Sequence, residues 1–167
     1  MPKSYLNLKS VVVNGTKVTL NRGFRNNNPG NLRRLPKKAG KDQLWKGEIP
    51  YEKSTDKDFS QFETVVYGLR AMMRDIYGDY NKGLNTVQEL IENYAPPTEN
   101  NTKAYIQNVA KALGVAANAV FTLNADSMIV LAKAICVVEN GKANASLLDD
   151  SDYEEALSIA GLPFKKK

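Results

Sequence analysis

The chain contains no histidine and a single cysteine among its 167 residues. The first absence removes Ser-His-Asp and Cys-His nucleophilic pairs and every zinc site built on imidazole. The second excludes a disulfide framework. Cys136 lies in the apolar run Ile135-Cys136-Val137-Val138, which marks it as a small buried thiol rather than a nucleophile. No apolar run approaches the roughly 18 residues that a membrane span needs, and residues 1–5 lack the apolar stretch of a signal peptide. The expectation is a protein made in the cytosol, without a membrane span. No spacing implies a metal or a cofactor.

The remaining composition is ordinary for one globular domain with a modest core: 43% hydrophobic and 25% charged. A formal net charge of +5 suits a polyanionic partner, either nucleic acid or the carboxylate- and phosphate-bearing bacterial wall. Nucleic acid ranks low, because the basic residues are dispersed and no recognition helix or aromatic RNA-binding motif is present. Without imidazole, acid-base chemistry falls to carboxylates, lysines and tyrosines. Glycoside cleavage is a reaction that carboxylates alone can run.

Residues 6–13 and 16–20 alternate around Asn14-Gly15, the dipeptide preferred in a two-residue hairpin turn. Residues 44–51 and 57–63 read as a second hairpin, after a basic surface loop over 33–41. From Thr64 the apolar period becomes helical, with Val65, Leu69, Met72, Met73 and Ile76 on one face. Thr86 opens a short helix that ends near Tyr94, before Pro96-Pro97, and residues 98–102 lead into a helix carrying Tyr105, Ile106, Val109 and Leu113. A helical turn is expected over 115–120. Asn124 or Asp126 caps the most apolar helix, 128–139, which Gly141 stops, and a last amphipathic helix opens at Ser151 and halts at Gly161. The predicted fold is α+β and mainly α, with an N-terminal hairpin over 1–21 packed on a single domain over 22–167.

Arg25-Asn26-Asn27-Asn28-Pro29-Gly30-Asn31-Leu32-Arg33 cannot fill a core. Asn and Gly tolerate left-handed backbone and Pro29 fixes its own φ, so the stretch reads as a stiff, amide-rich turn. Two uses stand open: contact with a polar, partly anionic ligand, or capping of neighbouring backbone. Glu139, in the last turn of the most apolar helix, is the carboxylate of most interest. Partial burial and a helix C-terminus both favour its protonated form, as a glycosidic acid requires. The alternative is an exposed acid at a helix end.

These blocks, together with Trp45-Lys46-Gly47, Phe59-Ser60-Gln61-Phe62-Glu63, Tyr94-Ala95-Pro96-Pro97-Thr98-Glu99-Asn100-Asn101-Thr102 and Val138-Glu139-Asn140-Gly141, resemble a family of phage and prophage proteins. Its members are described as virion structural proteins or lysozyme-like peptidoglycan hydrolases, and the match covers roughly residues 22–145. A more distant similarity is to flagellar-type N-acetylglucosaminidases. Their glutamate-bearing helix comes first, so the resemblance implies a circularly permuted lysozyme-like arrangement in which residues 131–141 supply it.

On that resemblance Glu139 is the general acid, and the second carboxylate comes from Glu48, Glu52, Asp56 or Asp58, with Glu48 first and Asp58 second. Trp45 stacks on a sugar, and Tyr94 and Tyr105 position the substrate or support the acid. Asn26, Asn27, Asn28 and Asn31 border the sugar cleft or brace its wall, and Arg25 approaches a lactyl or peptide carboxylate. The implied reaction is cleavage of a β-1,4 bond in peptidoglycan, by a protein that reaches the wall within a virion, beside other virion proteins, or after another factor has permeabilised the membrane. A non-catalytic virion or wall-binding protein is the alternative.

Overall fold

The computed structural model describes residues 3–95 and 101–164. Among them are six helices and one two-stranded antiparallel sheet. Strands β1 (Ser10–Val13) and β2 (Thr16–Thr19) pair with Val13 opposite Thr16, leaving Asn14-Gly15 as the whole turn. Both turn residues have positive φ, 50° and 78°, as the mirror-image hairpin turn demands. The strands are shorter than the alternation predicts. Asn7 takes a left-handed φ of 59° and its N–H donates to the Arg25 carbonyl, which diverts the chain before pairing starts.

Helix α1 (Arg22–Arg25) is a single turn capped by the Asn21 side chain. Helix α2 (Val65–Asn81) buries Val65, Val66, Leu69, Met72, Met73 and Ile76, the stripe expected from the sequence. Helices α3 (Val87–Tyr94) and α4 (Thr102–Leu113) start at Thr86 and Asn101, whose side chains accept from backbone N–H groups of the first turn. Helix α5 (Ala125–Ala145) starts at Asn124, not Asp126, through a reciprocal box with Ser127. Gly141 breaks it with φ 80° and ψ 163°, backbone that glycine adopts readily, so the continuous helix ends at Asn140. Helix α6 (Asp150–Ala160) is capped by Asp149 and closed by a left-handed Gly161. It therefore begins one residue before Ser151. Helix α2 packs along α6, and α4 along α5, around one apolar core.

Two expectations need correction. Residues 44–51 and 57–63 do not form regular strands. Glu48 pairs with Phe62, while Phe59 pairs with Arg33, and residues 51–53 form a 3-10 turn. Pro50 has no N–H to continue the ladder, so pairing ends after the Ile49 N–H has donated to Gln61. Residues 115–120 are turns rather than a helix, with Val120 bridged to Thr86. Pro96-Pro97 and the start of the predicted segment 98–102 lie outside the described residues. None of the described helices is long and apolar enough to cross a membrane.

Candidate functional site

The asparagine turn is a structural clamp. Asn26, Asn27 and Asn28 are buried, and each amide is consumed within the protein. Asn28 Nδ2 donates to the carbonyls of Leu32 and Ser60 at 2.9 Å each, and its Oδ1 accepts from the Leu32 N–H. Asn27 Nδ2 donates to the Phe62 carbonyl and its Oδ1 accepts from the Tyr5 N–H. Asn26 Nδ2 donates to Asp56, and Gln61 donates to Asn26 Oδ1. These three residues hold the N-terminal segment, α1 and the 54–62 loop together. Of the two uses open from the sequence, these three residues serve the one within the protein, since their amides are taken up by its own backbone and side chains.

Asn31 is different. With φ 52° it turns its side chain to α5, where Nδ2 donates to Glu139 Oε1 at 3.3 Å. Three further bonds fix this approach. Asn140 Nδ2 donates to the carbonyls of Pro29 at 2.7 Å and of Cys136 at 2.9 Å, and Asn21 Nδ2 donates to the Glu139 carbonyl at 3.4 Å. The end of the apolar helix is therefore bolted to the turn, with the half-buried Glu139 carboxylate at its rim.

Two tyrosines sit behind that carboxylate. The Tyr94 hydroxyl donates to the Gly30 carbonyl, which ties α3 to the turn, while its ring is only half-buried. Tyr105 is 2% exposed, and its hydroxyl has no partner at hydrogen-bonding geometry among the described residues. Burial raises both phenols, and the negative charge of Glu139 raises each further. Tyr105 is too deep to touch a polymeric ligand, which leaves, of its two expected roles, only one exerted through its neighbours.

Sequence reasoning missed Asp75. Burial, with Asp79 adding repulsion, pushes its carboxyl up to about 6, and its charge also acts on the Tyr94 hydroxyl. The signal was an acid at an interior helix position, three residues after Met72 and next to Ile76, on the edge of the buried stripe. Asn140, whose amide joins helix to turn, was legible only as part of a motif.

The expected second carboxylates are placed otherwise. The Glu48 side chain is 1% exposed and pairs with Arg34 at 3.1 Å, while its other oxygen accepts from the Trp45 N–H. Burial raises its pKa against the opposing pull of that N–H, Ser60 and Arg34. It pins the loop and has no face for a water or a sugar. Asp58 is 72% exposed, with Arg22 at 3.7 Å. Glu52 is exposed within the 3-10 turn. Asp56 is held well below the carboxylate range: burial opposes ionisation, but hydrogen bonds from Arg22, Phe59, Asn26 and Asp58 outweigh it. Trp45 is half-buried beside Glu48. Arg25 donates to the Leu20 carbonyl and lines a cleft of about 600 Å³ with Lys9, Arg22 and Asp56, on the hairpin side. The thiol of Cys136 is buried and pushed up to about 11, which leaves it protonated at neutral pH.

Asp56 carries a testable consequence. A carboxyl whose folded pKa is depressed stabilises the protein above its unfolded pKa, about 4, and that stabilisation is lost as pH falls further. Asp56→Asn should therefore lower stability in urea at pH 7, with the gap to wild type narrowing steadily as pH falls below about 4. A gap of constant size at all pH values would contradict the assignment.

No group of described histidine, cysteine, aspartate or glutamate residues is arranged to hold a metal ion. No family model matches the chain. It is 37% identical over 123 residues to Protein P5 of Pseudoalteromonas phage PM2, an alignment that covers 72% of this chain and 71% of that protein.

Proposed function

The chain belongs to the family of Protein P5 of Pseudoalteromonas phage PM2, and from that premise we propose that it is a phage-encoded glycosidase of peptidoglycan, with Glu139 as its general acid. The observation that carries this reading is the 3.3 Å contact between Asn31 and Glu139, which sets a partly buried carboxylate at the edge of a rigid turn. Two tyrosines and an amide surround the acid, and no imidazole or metal is needed. In this reading the Glu139 carboxyl gives its proton to the glycosidic oxygen and the bond from that oxygen to the anomeric carbon breaks. The muramyl 6-hydroxyl then attacks the anomeric carbon and returns a proton to Glu139, giving an anhydro sugar. This route needs no second carboxylate, in keeping with the placement of Glu48 and Asp58. Attack by water, or by the substrate's acetamide to form an oxazoline that water then opens, gives a reducing end instead.

Mass analysis of fragments released from purified sacculi tests the reading. Disaccharide-peptides ending in an anhydro sugar are expected, and reducing ends would redirect the mechanism to hydrolysis. Absence of fragments from the walls of several hosts would overturn the enzyme reading.

A second reading is favoured by the same loss of the expected carboxylates: a non-catalytic virion structural or wall-binding protein. It requires binding to sacculi with no release of fragments.

A further inference from the structure

The densest charge on the chain lies beyond the candidate acid. Residues 33–57 hold eight lysines and arginines against four acids, most of the net +5 of the whole protein. Part of this segment encloses a cavity of about 380 Å³, lined among others by Arg33, Lys37, Asp42, Tyr51, Lys57 and Asp58. Its floor is aromatic and cationic. Lys57 Nζ stands 4.4 Å from the centroid of the Tyr51 ring, and Lys37 Nζ 5.6 Å. Outside this lining, the Phe59 ring carries Arg33 at 4.7 Å and Arg22 at 4.1 Å, the latter paired with Asp56 at 2.7 Å. Lys37 has only a long pairing of 4.0 Å to Asp42, and Lys57 donates to the Tyr51 carbonyl, so both keep unspent donor capacity.

The cavity is coupled to the acid through the chain. Arg33, on the cavity's lining, follows Asn31 by two residues in the chain, and Asn31 touches Glu139. The lining is also of mixed sign: Asp42 and Asp58 would repel a continuous polyphosphate but suit a ligand with carboxylates and an amine.

We propose that this cavity binds the stem peptide of peptidoglycan, a short peptide with several carboxylates and a free amino group, on the strand that Glu139 cuts. Lys37, Lys57 and Arg33 take the carboxylates, Asp42 or Asp58 takes the amine, and Tyr51 packs on the aliphatic stem. The proposal rests on the glycosidase reading for its biological setting, but its test does not need cleavage.

The probe is a glycan-free stem tetrapeptide with diaminopimelate at its third position, titrated into the full chain and followed by amide chemical shifts. Saturable shifts at Tyr51 and Lys57 are expected. Lys37→Ala combined with Lys57→Ala should weaken binding by about tenfold or more. Both lysines are exposed, so the double variant should keep the fold. On intact peptidoglycan it should raise KM with kcat unchanged, and it should cleave peptide-stripped glycan as wild type does. The proposal is overturned if the tetrapeptide gives no saturable shifts, if the double variant binds it equally well, or if oligodeoxythymidine outcompetes it at the same residues. Peptide binding without any cleavage would keep the cavity's assignment and remove the glycosidase reading. Cleavage without peptide binding would do the reverse.

Discussion

Glu139→Gln should lose cleavage of purified peptidoglycan by about 10²- to 10⁴-fold, the usual contribution of a general acid, while the protein melts at the wild-type temperature. Glutamine has nearly the same shape and still offers an oxygen to Asn31 Nδ2, so the bolt between α5 and the turn survives. What it lacks is an acidic proton for the leaving oxygen. The buried Tyr105 beneath it gives a graded companion. Tyr105→Phe keeps the packing and removes only the hydroxyl, so it should alter the pH dependence of cleavage far more than the melting temperature. An unchanged clearing rate in Glu139→Gln, with folding intact, would assign the carboxylate to the surface chemistry of a helix end and favour the scaffold reading.

The largest stability effect is expected from Gly68→Ala. Helix α2 meets the asparagine turn backbone to backbone there: a Cβ on Gly68 would lie 1.9 Å from the Asn27 carbonyl oxygen and 3.0 Å from its carbon. No rotamer change relieves that overlap, because neither partner is a side chain. Overpacking of this kind costs about 1–3 kcal/mol and sometimes more, which for a chain of this size corresponds to a Tm lower by roughly 2–12 °C. The strain also pushes the turn away from α2, so the Asn31–Glu139 contact should loosen and activity should fall below the permissive temperature as well. Gly78→Ala is the control on the same helix. Space around Gly78 is open, and alanine is the better helix former by about 1 kcal/mol, so its Tm should hold or rise. Equal losses in both variants would mean that helix α2 does not rest on the turn.

Local signals carried most of the fold. Asn14-Gly15 announces its turn by chemistry, the stripe from Val65 to Ile76 announces α2 by period, and Gly141 marks the end of the apolar helix. Each rests on interactions within a few residues. The second hairpin failed where a local signal met a distant competitor: Phe59 pairs with Arg33, and Glu48 folds inward onto Arg34, partners that alternation cannot reveal. The same limit governs the site. The asparagine run was legible as a rigid turn, but three of its amides are spent on carbonyls and side chains some thirty residues away, and only Asn31 reaches Glu139. Asp75 was hidden for a related reason. Its perturbation comes from burial and Asp79, and its relevance comes from Tyr94 on another helix. The sequence shows which groups can do acid-base chemistry, while their company is settled by packing between elements.

The most direct test of the central claim is a crystal structure of Glu139→Gln with an intact peptidoglycan tetrasaccharide. The account requires the scissile glycosidic oxygen within hydrogen-bonding reach of the side chain at position 139, about 2.6–3.2 Å, with a sugar lying along Asn31. A tetrasaccharide seated elsewhere on the protein, or held with position 139 turned away from every glycosidic oxygen, would contradict it.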